Sequence, residues 1–209
     1  MRIMSLLDFI LPSVCGACGH VGAAPCADCF ARLQPPPPGP LPEYVNSLGC
    51  CWKYGGAGRE LIKSLKYANN RGALAWYIDV LVSRARHAEV DVVTWVPMAP
   101  QHRGSRSVDH NRLLARGVAT RIGVCARELL ERTDDSPQSM REGSDRRLGP
   151  TVHAKSACHR VLLIDDVVTT GASLRNCALA LRAGGATEVH AVALARAPVR
   201  TQYDRAGNG

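Results

Sequence analysis

Two adjacent carboxylates followed by a short run of hydroxyl-bearing residues form the part of this sequence best suited to chemistry. A short apolar run ends at these carboxylates, and turn residues follow, which predicts a buried parallel strand and then a tight loop. Beyond the loop, apolar residues recur at helical spacing from Leu174 to Leu181, and Gly184 ends the pattern, so the loop should open onto a helix N-terminus. In order, the residues of this unit are Val161, Leu162, Leu163, Ile164, Asp165, Asp166, Val167, Val168, Thr169, Thr170, Gly171, Ala172 and Ser173.

This strand–loop–helix unit has the chemistry of a phosphate site. The first N–H groups of a helix lack intrahelical partners and, together with the helix dipole, attract anions. The hydroxyls of Thr169, Thr170 and Ser173 add hydrogen-bond donors, and Gly171 lets the backbone approach a ligand closely. Asp165 and Asp166 would repel a phosphate, but they accept hydrogen bonds well from neutral sugar hydroxyls. We therefore expect a ribose 5-phosphate group here; the alternative is a threonine that caps a helix after an edge strand.

The same run resembles the 5-phosphoribosyl 1-pyrophosphate (PRPP) motif of the type I phosphoribosyltransferases. The resemblance implies that Asp165 and Asp166, the candidate catalytic residues, hold the ribose 2′- and 3′-hydroxyls, and that the loop from Thr169 to Ser173 cradles the 5′-phosphate. Every residue from Asp165 to Ser173 is then expected at the PRPP site. Thr169 stands where purine-salvage members carry an Asp, which disfavours a hypoxanthine-type reaction. The implied fold class is α/β, a type I phosphoribosyltransferase-like parallel sheet flanked by helices, with a small N-terminal zinc knuckle module.

The zinc expectation comes from four cysteines near the start of the chain. Thiolates are the soft ligands that tetrahedral zinc prefers, and each C-x2-C turn can bring two sulfurs to one ion. Metal binding is favoured over the alternative of two disulfides if the protein is cytosolic. Four sulfur ligands leave no open position, so the ion is expected to be structural. The pattern is C-x2-C-x7-C-x2-C, formed by Cys15, Cys18, Cys26 and Cys29.

A polyproline run divides the chain. Gln34 to Pro42 is rich in proline, a composition typical of a stiff spacer. We predict a four-cysteine zinc module at residues 1–34, a proline-rich linker at 35–47, the phosphoribosyltransferase-like domain at 48–198 and a disordered tail at 199–209.

A second pattern, Y-x-G followed by L-I-x-x-L-K-Y, resembles the ComF family, in which a cysteine module is joined to a phosphoribosyltransferase-like domain. That resemblance makes Lys66 a candidate PRPP ligand; the alternative is an ordinary exposed lysine at a helix end. Beyond the strand that ends at Val96-Pro97, Arg103 and Arg106 are expected to grip pyrophosphate with their donor forks, or else to belong to a solvated basic loop. Asn111 completes a loose version of the family's R-G-x-N pattern, and His110 could assist the leaving group.

The overall composition is compatible with these expectations. The 209 residues carry a formal charge of +8, which favours polyanionic partners, although a coding bias towards arginine would produce the same excess. No apolar run approaches a membrane span, and the first eleven residues fit a short docking helix better than a signal peptide, so we expect a cytoplasmic protein. We predict a ComF-like protein that binds PRPP or another phosphoribosyl ligand with Mg²⁺ and transfers phosphoribose to an unidentified acceptor. We also consider that it forms a homodimer. The alternative is a non-catalytic protein that handles single-stranded DNA during DNA uptake.

Overall fold

The computed structural model describes residues 14–67, 71–85, 89–98, 109–132, 152–155 and 159–198. Several predictions lie outside these ranges: the docking helix at 1–11, the pyrophosphate ligands Arg103 and Arg106, and the tail at 199–209. The helices are α1 (Ala27–Ala31), α2 (Gly56–Tyr67), α3 (Arg71–Ala85), α4 (His110–Ile122) and α5 (Ala172–Ala183). The strands are β1 (Ser47–Lys53), β2 (Val92–Trp95), β3 (Cys125–Ala126), β4 (Leu130–Arg132), β5 (Val152–Ala154), β6 (Arg160–Val168) and β7 (Glu188–Arg196).

Five of these strands form one sheet in the order β1-β7-β6-β2-β3, and every neighbouring pair is parallel. The strand predicted from the apolar run is β6, at the centre of the sheet, and β7 lies beside it. The predicted α/β class, a parallel sheet flanked by helices, is therefore confirmed. Because all strands run the same way, their carboxyl ends share one edge, where open α/β sheets bind ligands.

Residues of β6 alternate between two apolar cores, which explains why the strand is apolar on both faces. Leu162 and Ile164 pack into the core formed with α2, α3 and α4. Val161 and Leu163 pack into the core formed with α5 on the opposite face. The alternation is interrupted at the two acids, because Val167 packs against the first core and Val168 packs into the second.

The remaining elements lie around this sheet. Strands β4 and β5 form a separate antiparallel pair, and α5 ends at Gly184, as the sequence pattern predicted. The short helix α1 belongs to the cysteine-rich segment. None of the helices in the described ranges is long and apolar enough to cross a bilayer.

Candidate functional site

The phosphate loop, Thr169–Ser173, joins β6 to α5 at the carboxyl edge of the sheet. Gly171 adopts a φ of +80° and occupies the N-cap position of α5, where no side chain caps the helix. The hydroxyl of Thr170 accepts a hydrogen bond of 3.3 Å from the N–H of Ala172. Thr169 and Thr170 are exposed, whereas Val168 is buried in the core. The turn therefore presents backbone N–H groups and hydroxyls to solvent, as an anion site requires.

Asp166 pairs with a lysine from a distant part of the chain. Lys66, near the end of α2, places its Nζ 2.5 Å from Oδ2 of Asp166, whose side chain is only 15% exposed. Desolvation would lower the pKa of Lys66, but the Asp166 carboxylate outweighs it and raises the pKa above its ordinary value. Lys66 is thus a fixed cation at the carboxyl edge, and the structure joins two residues that the sequence singled out separately.

Asp165 is buried and has a different set of partners. Its Oδ1 accepts hydrogen bonds from the backbone N–H of Asp166 at 2.9 Å and from the amide Nδ2 of Asn111 at 3.3 Å. Burial, followed by the charge of Asp166, raises the pKa of Asp165 to about 7, although both hydrogen bonds and Lys66 oppose the change. The two neighbouring carboxylates therefore differ: Asp166 forms an ion pair with Lys66, whereas Asp165 accepts hydrogen bonds from a backbone N–H and an amide group.

The N-terminus of α4 completes this edge. Asp109 caps the helix by accepting a hydrogen bond of 3.0 Å from the N–H of Arg112. His110, the first residue of α4, lies within electrostatic range of Asp166 and Lys66; burial lowers its pKa, and the carboxylates of Asp166 and Asp109 oppose that change. The sequence drew attention to His110 and placed Asn111 only within the family pattern, without a role. In the structure it is Asn111 that contacts Asp165.

One side of the phosphate loop is covered by the proline segment, Gln34–Pro42. The carbonyl of Pro40 accepts a hydrogen bond of 2.6 Å from Nη2 of Arg196, at the end of β7. Pro42 lies so close to Gly171 that a Cβ at this glycine would be 3.0 Å from Cγ of Pro42. Just beyond, Glu43 pairs with Arg175 of α5 at 2.8 Å. The segment predicted as a spacer thus contacts the phosphate loop directly.

The four predicted cysteine ligands lie together at the other end of the proline segment. All four Sγ atoms are within 4.8 Å of one another, and those of Cys18 and Cys26 are 3.7 Å apart. Sulfurs bound to one zinc ion at about 2.3 Å lie about 3.8 Å apart in a tetrahedron, so the donor set fits this metal. Nη2 of Arg32 donates a hydrogen bond of 3.0 Å to Sγ of Cys29, which would stabilise a thiolate there.

The ionisation of these thiols is uneven. Despite desolvation, hydrogen bonds led by the N–H of Cys26 lower the pKa of Cys15 to about 6. Burial, together with the neighbouring thiols, raises the pKa of Cys29 to about 12. Without metal, the thiol of Cys15 therefore ionises more readily than the thiol of Cys29. The four cysteines can hold a metal ion, and binding it would release protons.

The cysteine module packs against α2 and α3. A Cβ at Gly16 would clash with Oγ of Ser64, which shows how closely the first knuckle approaches α2. Phe30 lies edge-on to Trp76 of α3 with ring centroids 6.3 Å apart, and Trp76 stacks on Trp52 of β1 at 5.4 Å. Apolar and aromatic contacts therefore join the module to the sheet domain.

Comparisons with solved structures show similarity over about two thirds of this chain. The structure titled as the allosteric regulatory enzyme of purine biosynthesis has a TM-score of 0.45 and 20% identity over 63% of this chain and 29% of its own. Glutamine PRPP amidotransferase from B. subtilis, complexed with ADP and GMP, has a TM-score of 0.45 and 19% identity over 63% of this chain and 30% of its own. APRTase from Giardia lamblia, complexed with 9-deazaadenine, has a TM-score of 0.44 and 18% identity over 65% of this chain and 72% of its own. The chain thus spans about 30% of the length of the first two.

The sequence comparison is more direct. No curated protein matches the chain significantly. Residues 112–207 match the family described as "Phosphoribosyl transferase domain", a range that includes most of α4, together with β6, the phosphate loop, α5 and β7. Just under half of the chain is therefore similar in sequence to a phosphoribosyl transferase domain.

Proposed function

We propose that this chain binds PRPP with Mg²⁺ at the carboxyl edge of its sheet and transfers the phosphoribosyl group to an acceptor amine or base. The observation that carries the proposal is the continuity of Asp165, Asp166 and the phosphate loop, with Lys66 fixed on Asp166 at 2.5 Å. This arrangement provides acceptors for sugar hydroxyls, donors for a terminal phosphate and a cation for a second anionic group. PRPP carries all three of these groups on one molecule.

Each group of residues has a distinct role in this proposal. Backbone N–H groups and hydroxyls of the phosphate loop would bind the 5′-phosphate, and Asp165 and Asp166 would accept hydrogen bonds from the ribose hydroxyls. Lys66 would face the pyrophosphate, and we assign Arg103 and Arg106, outside the described residues, to the same group. In the reaction the bond from C1′ of the ribose to pyrophosphate breaks and a bond from C1′ to the acceptor nitrogen forms.

Positioning and electrostatics would provide the rate enhancement. The carboxylates next to the ribose stabilise positive charge that develops on the ring as the bond to pyrophosphate lengthens, and the cations stabilise the departing anion. Mg²⁺, which prefers phosphate oxygens and retains water ligands, would supply charge neutralisation on the pyrophosphate. Asp165 and Asp166 are the residues near which an Mg²⁺–PRPP complex would lie. The acceptor loses its proton to solvent or to the departing pyrophosphate.

We propose in addition that the cysteine module holds a structural zinc ion and that the chain is a ComF-like protein. Four sulfurs within 4.8 Å of one another support the zinc assignment, and four sulfur ligands would leave no position for a reactive water. The ComF assignment is supported by a cysteine module packed onto a phosphoribosyltransferase-like domain, together with the L-I-x-x-L-K-Y pattern whose lysine lies on Asp166.

Calorimetric titration of PRPP into the zinc-loaded full chain, in the presence of Mg²⁺, tests the proposed function. We expect saturable binding at one site per chain, which a single-stranded oligonucleotide does not displace. Ribose 5-phosphate should bind more weakly, because it lacks the pyrophosphate that Lys66 would contact. Absence of PRPP binding, combined with oligonucleotide binding that weakens steeply with salt, would overturn the proposal and favour the DNA-handling alternative.

A further inference from the structure

Asn111 connects the ends of two neighbouring strands at the candidate site. Its Nδ2 donates hydrogen bonds to the carbonyl of Val96, just beyond β2, at 3.4 Å and to Oδ1 of Asp165 in β6 at 3.3 Å. The N–H of Val96 in turn donates to the carbonyl of Ile164 at 3.0 Å. One side chain at the N-terminus of α4 thus joins the carboxyl ends of β2 and β6 beside the candidate sugar site.

The orientation of the Asn111 amide is set by these contacts. Both of its hydrogen-bond partners are acceptors, so the end of the amide that faces them must be the NH2 group. The opposite atom, Oδ1, is buried and accepts no hydrogen bond from the described part of the chain. An amide oxygen buried in this way costs free energy. This cost offsets part of what the two hydrogen bonds from Nδ2 contribute to the stability of the fold.

The two oxygens of the Asp165 carboxylate differ in their hydrogen-bond partners. Oδ1 receives both protein donors, the N–H of Asp166 and the amide of Asn111. Lys66, the cation that acts on Asp165 among the described residues, is paired with the neighbouring Asp166 instead. With Oδ1 occupied by protein donors, Oδ2 is the oxygen left to accept a hydrogen bond from a ligand.

We propose that Asn111 is a positioning residue, which holds the Asp165 carboxylate by one oxygen so that the other is presented to a hydroxyl of the bound sugar. The inference rests on the proposed function and deepens it, because it assigns a residue that acts on the sugar only through Asp165. The ligand class is a sugar phosphate with a free ring hydroxyl, of which PRPP is the member used in the test.

The surroundings of Asp165 make this role measurable through its ionisation. Among the described residues, the charged and titratable groups that act on Asp165 are the Asp166 carboxylate, the Lys66 ammonium and, on elements packed against it, the thiols of Cys50 and Cys177. Burial raises the pKa of both thiols, the Cys50 thiol to about 11, so both stay neutral near pH 7. Loss of the Asn111 donor should therefore raise the pKa of Asp165 and reduce the fraction that is ionised at neutral pH.

The test compares wild type with Asn111→Leu, which has a similar size but no donor, and with the smaller Asn111→Ser. The ¹³C NMR signal of the Asp165 carboxyl, assigned with D165N, is followed against pH in the free protein, and PRPP binding is titrated over the same range. We expect the midpoint of the Asp165 titration to move upward by about half a pH unit or more in both variants. Below that midpoint, a rise of the midpoint by one pH unit should lower PRPP affinity about tenfold.

A double-mutant cycle separates positioning from a general structural role. In a D165N background, N111L should have no further effect on PRPP affinity, because the carboxylate on which Asn111 acts is absent. An Asp165 midpoint that is the same in wild type and both Asn111 variants would overturn the proposal. A raised midpoint in a protein that binds no PRPP at any pH would support the positioning of Asp165 and would overturn the proposed function instead.

Discussion

Gly171 is the residue of the phosphate loop whose replacement tests the geometry of the site most sharply. Its φ of +80° lies in the left-handed region, where an L side chain costs about 1–2 kcal/mol. A Cβ at this position would also lie 3.0 Å from Cγ and 3.6 Å from Cβ of Pro42, and crowding of a packed contact costs on the order of 1 kcal/mol. Gly171→Ala should therefore lower the free energy of unfolding by about 2–3 kcal/mol.

Gly123 offers a matched control for the conformational part of this cost. Its φ is +76° at the end of α4, and a Cβ there would meet no atom of the described residues within 4 Å. Gly123→Ala should cost only about 1–2 kcal/mol. Thermal denaturation at a fixed zinc concentration measures the difference, because 1 kcal/mol corresponds to about 2–4 °C in a chain of this size. We expect the melting temperature of G171A to fall about 2–4 °C further than that of G123A.

The contact with Pro42 can be isolated by a second substitution. Pro42→Ala removes Cγ, so in this background G171A should cost about as much as G123A does in wild type. PRPP affinity should fall in G171A, because the phosphate loop changes shape, and should be unchanged in G123A. Equal destabilisation by G171A in the wild-type and P42A backgrounds would refute the close approach of the proline segment to the phosphate loop.

Three further predictions concern the cations, the metal and the buried acid. Lys66→Met should reduce PRPP affinity about tenfold or more through loss of a charged contact. Lys63→Met, which breaks the exposed pair with Glu60 on the same helix, should leave PRPP affinity unchanged. Equal effects of both substitutions would contradict a specific role for Lys66. Cys18→Ser should abolish stoichiometric zinc binding measured by atomic absorption and move tryptophan fluorescence to the red, while Cys125→Ser, also at an exposed cysteine, retains both properties. The pKa of Asp165 rises from 3.8 to about 7 on folding, so the native state binds more protons than the unfolded state across this interval. The free energy of unfolding should therefore fall as pH increases from about 4 to 7, by at most about 1.4 kcal/mol per pH unit. Chemical denaturation at several pH values should show a flatter profile for D165N, and an unchanged slope would contradict the raised pKa.

The local parts of the fold could be predicted from the sequence because short-range patterns encode them. The apolar run before Asp165 has the length and boundaries of a central parallel strand, and Gly184 marks the end of the helix that follows. Both features depend on residues within a few positions of each other, so alternation and turn chemistry are sufficient. The spacing of the cysteine pairs has the same local character, and the four sulfurs lie together as expected.

The long-range contacts of the site could not be predicted in this way. Asn111 is 54 residues from Asp165 in sequence, and nothing in its neighbourhood reveals that β2 and β6 are adjacent at their carboxyl ends. Lys66 was singled out by resemblance alone, and its partner Asp166 follows only from the position of α2 above the sheet. The composition of the proline segment predicts stiffness, but its contact with Gly171 depends on the path of the chain between Pro42 and β1. Sheet order and helix placement decide these contacts, and local patterns do not contain that information.

The assignment of the two adjacent acids is the central claim, and one measurement tests it most directly. Asp165→Asn with Asp166→Asn keeps the shape of both side chains and removes their charge, and Asp79→Asn, in an exposed pair with Arg121, is the matched control. Magnesium-dependent PRPP binding is measured by calorimetry for wild type and both variants, with zinc content and circular dichroism as checks on folding. The account predicts that the double variant keeps its zinc and its secondary structure but loses PRPP binding, while D79N binds as wild type does. Wild-type affinity in the folded double variant would show that the ribose is not held by Asp165 and Asp166.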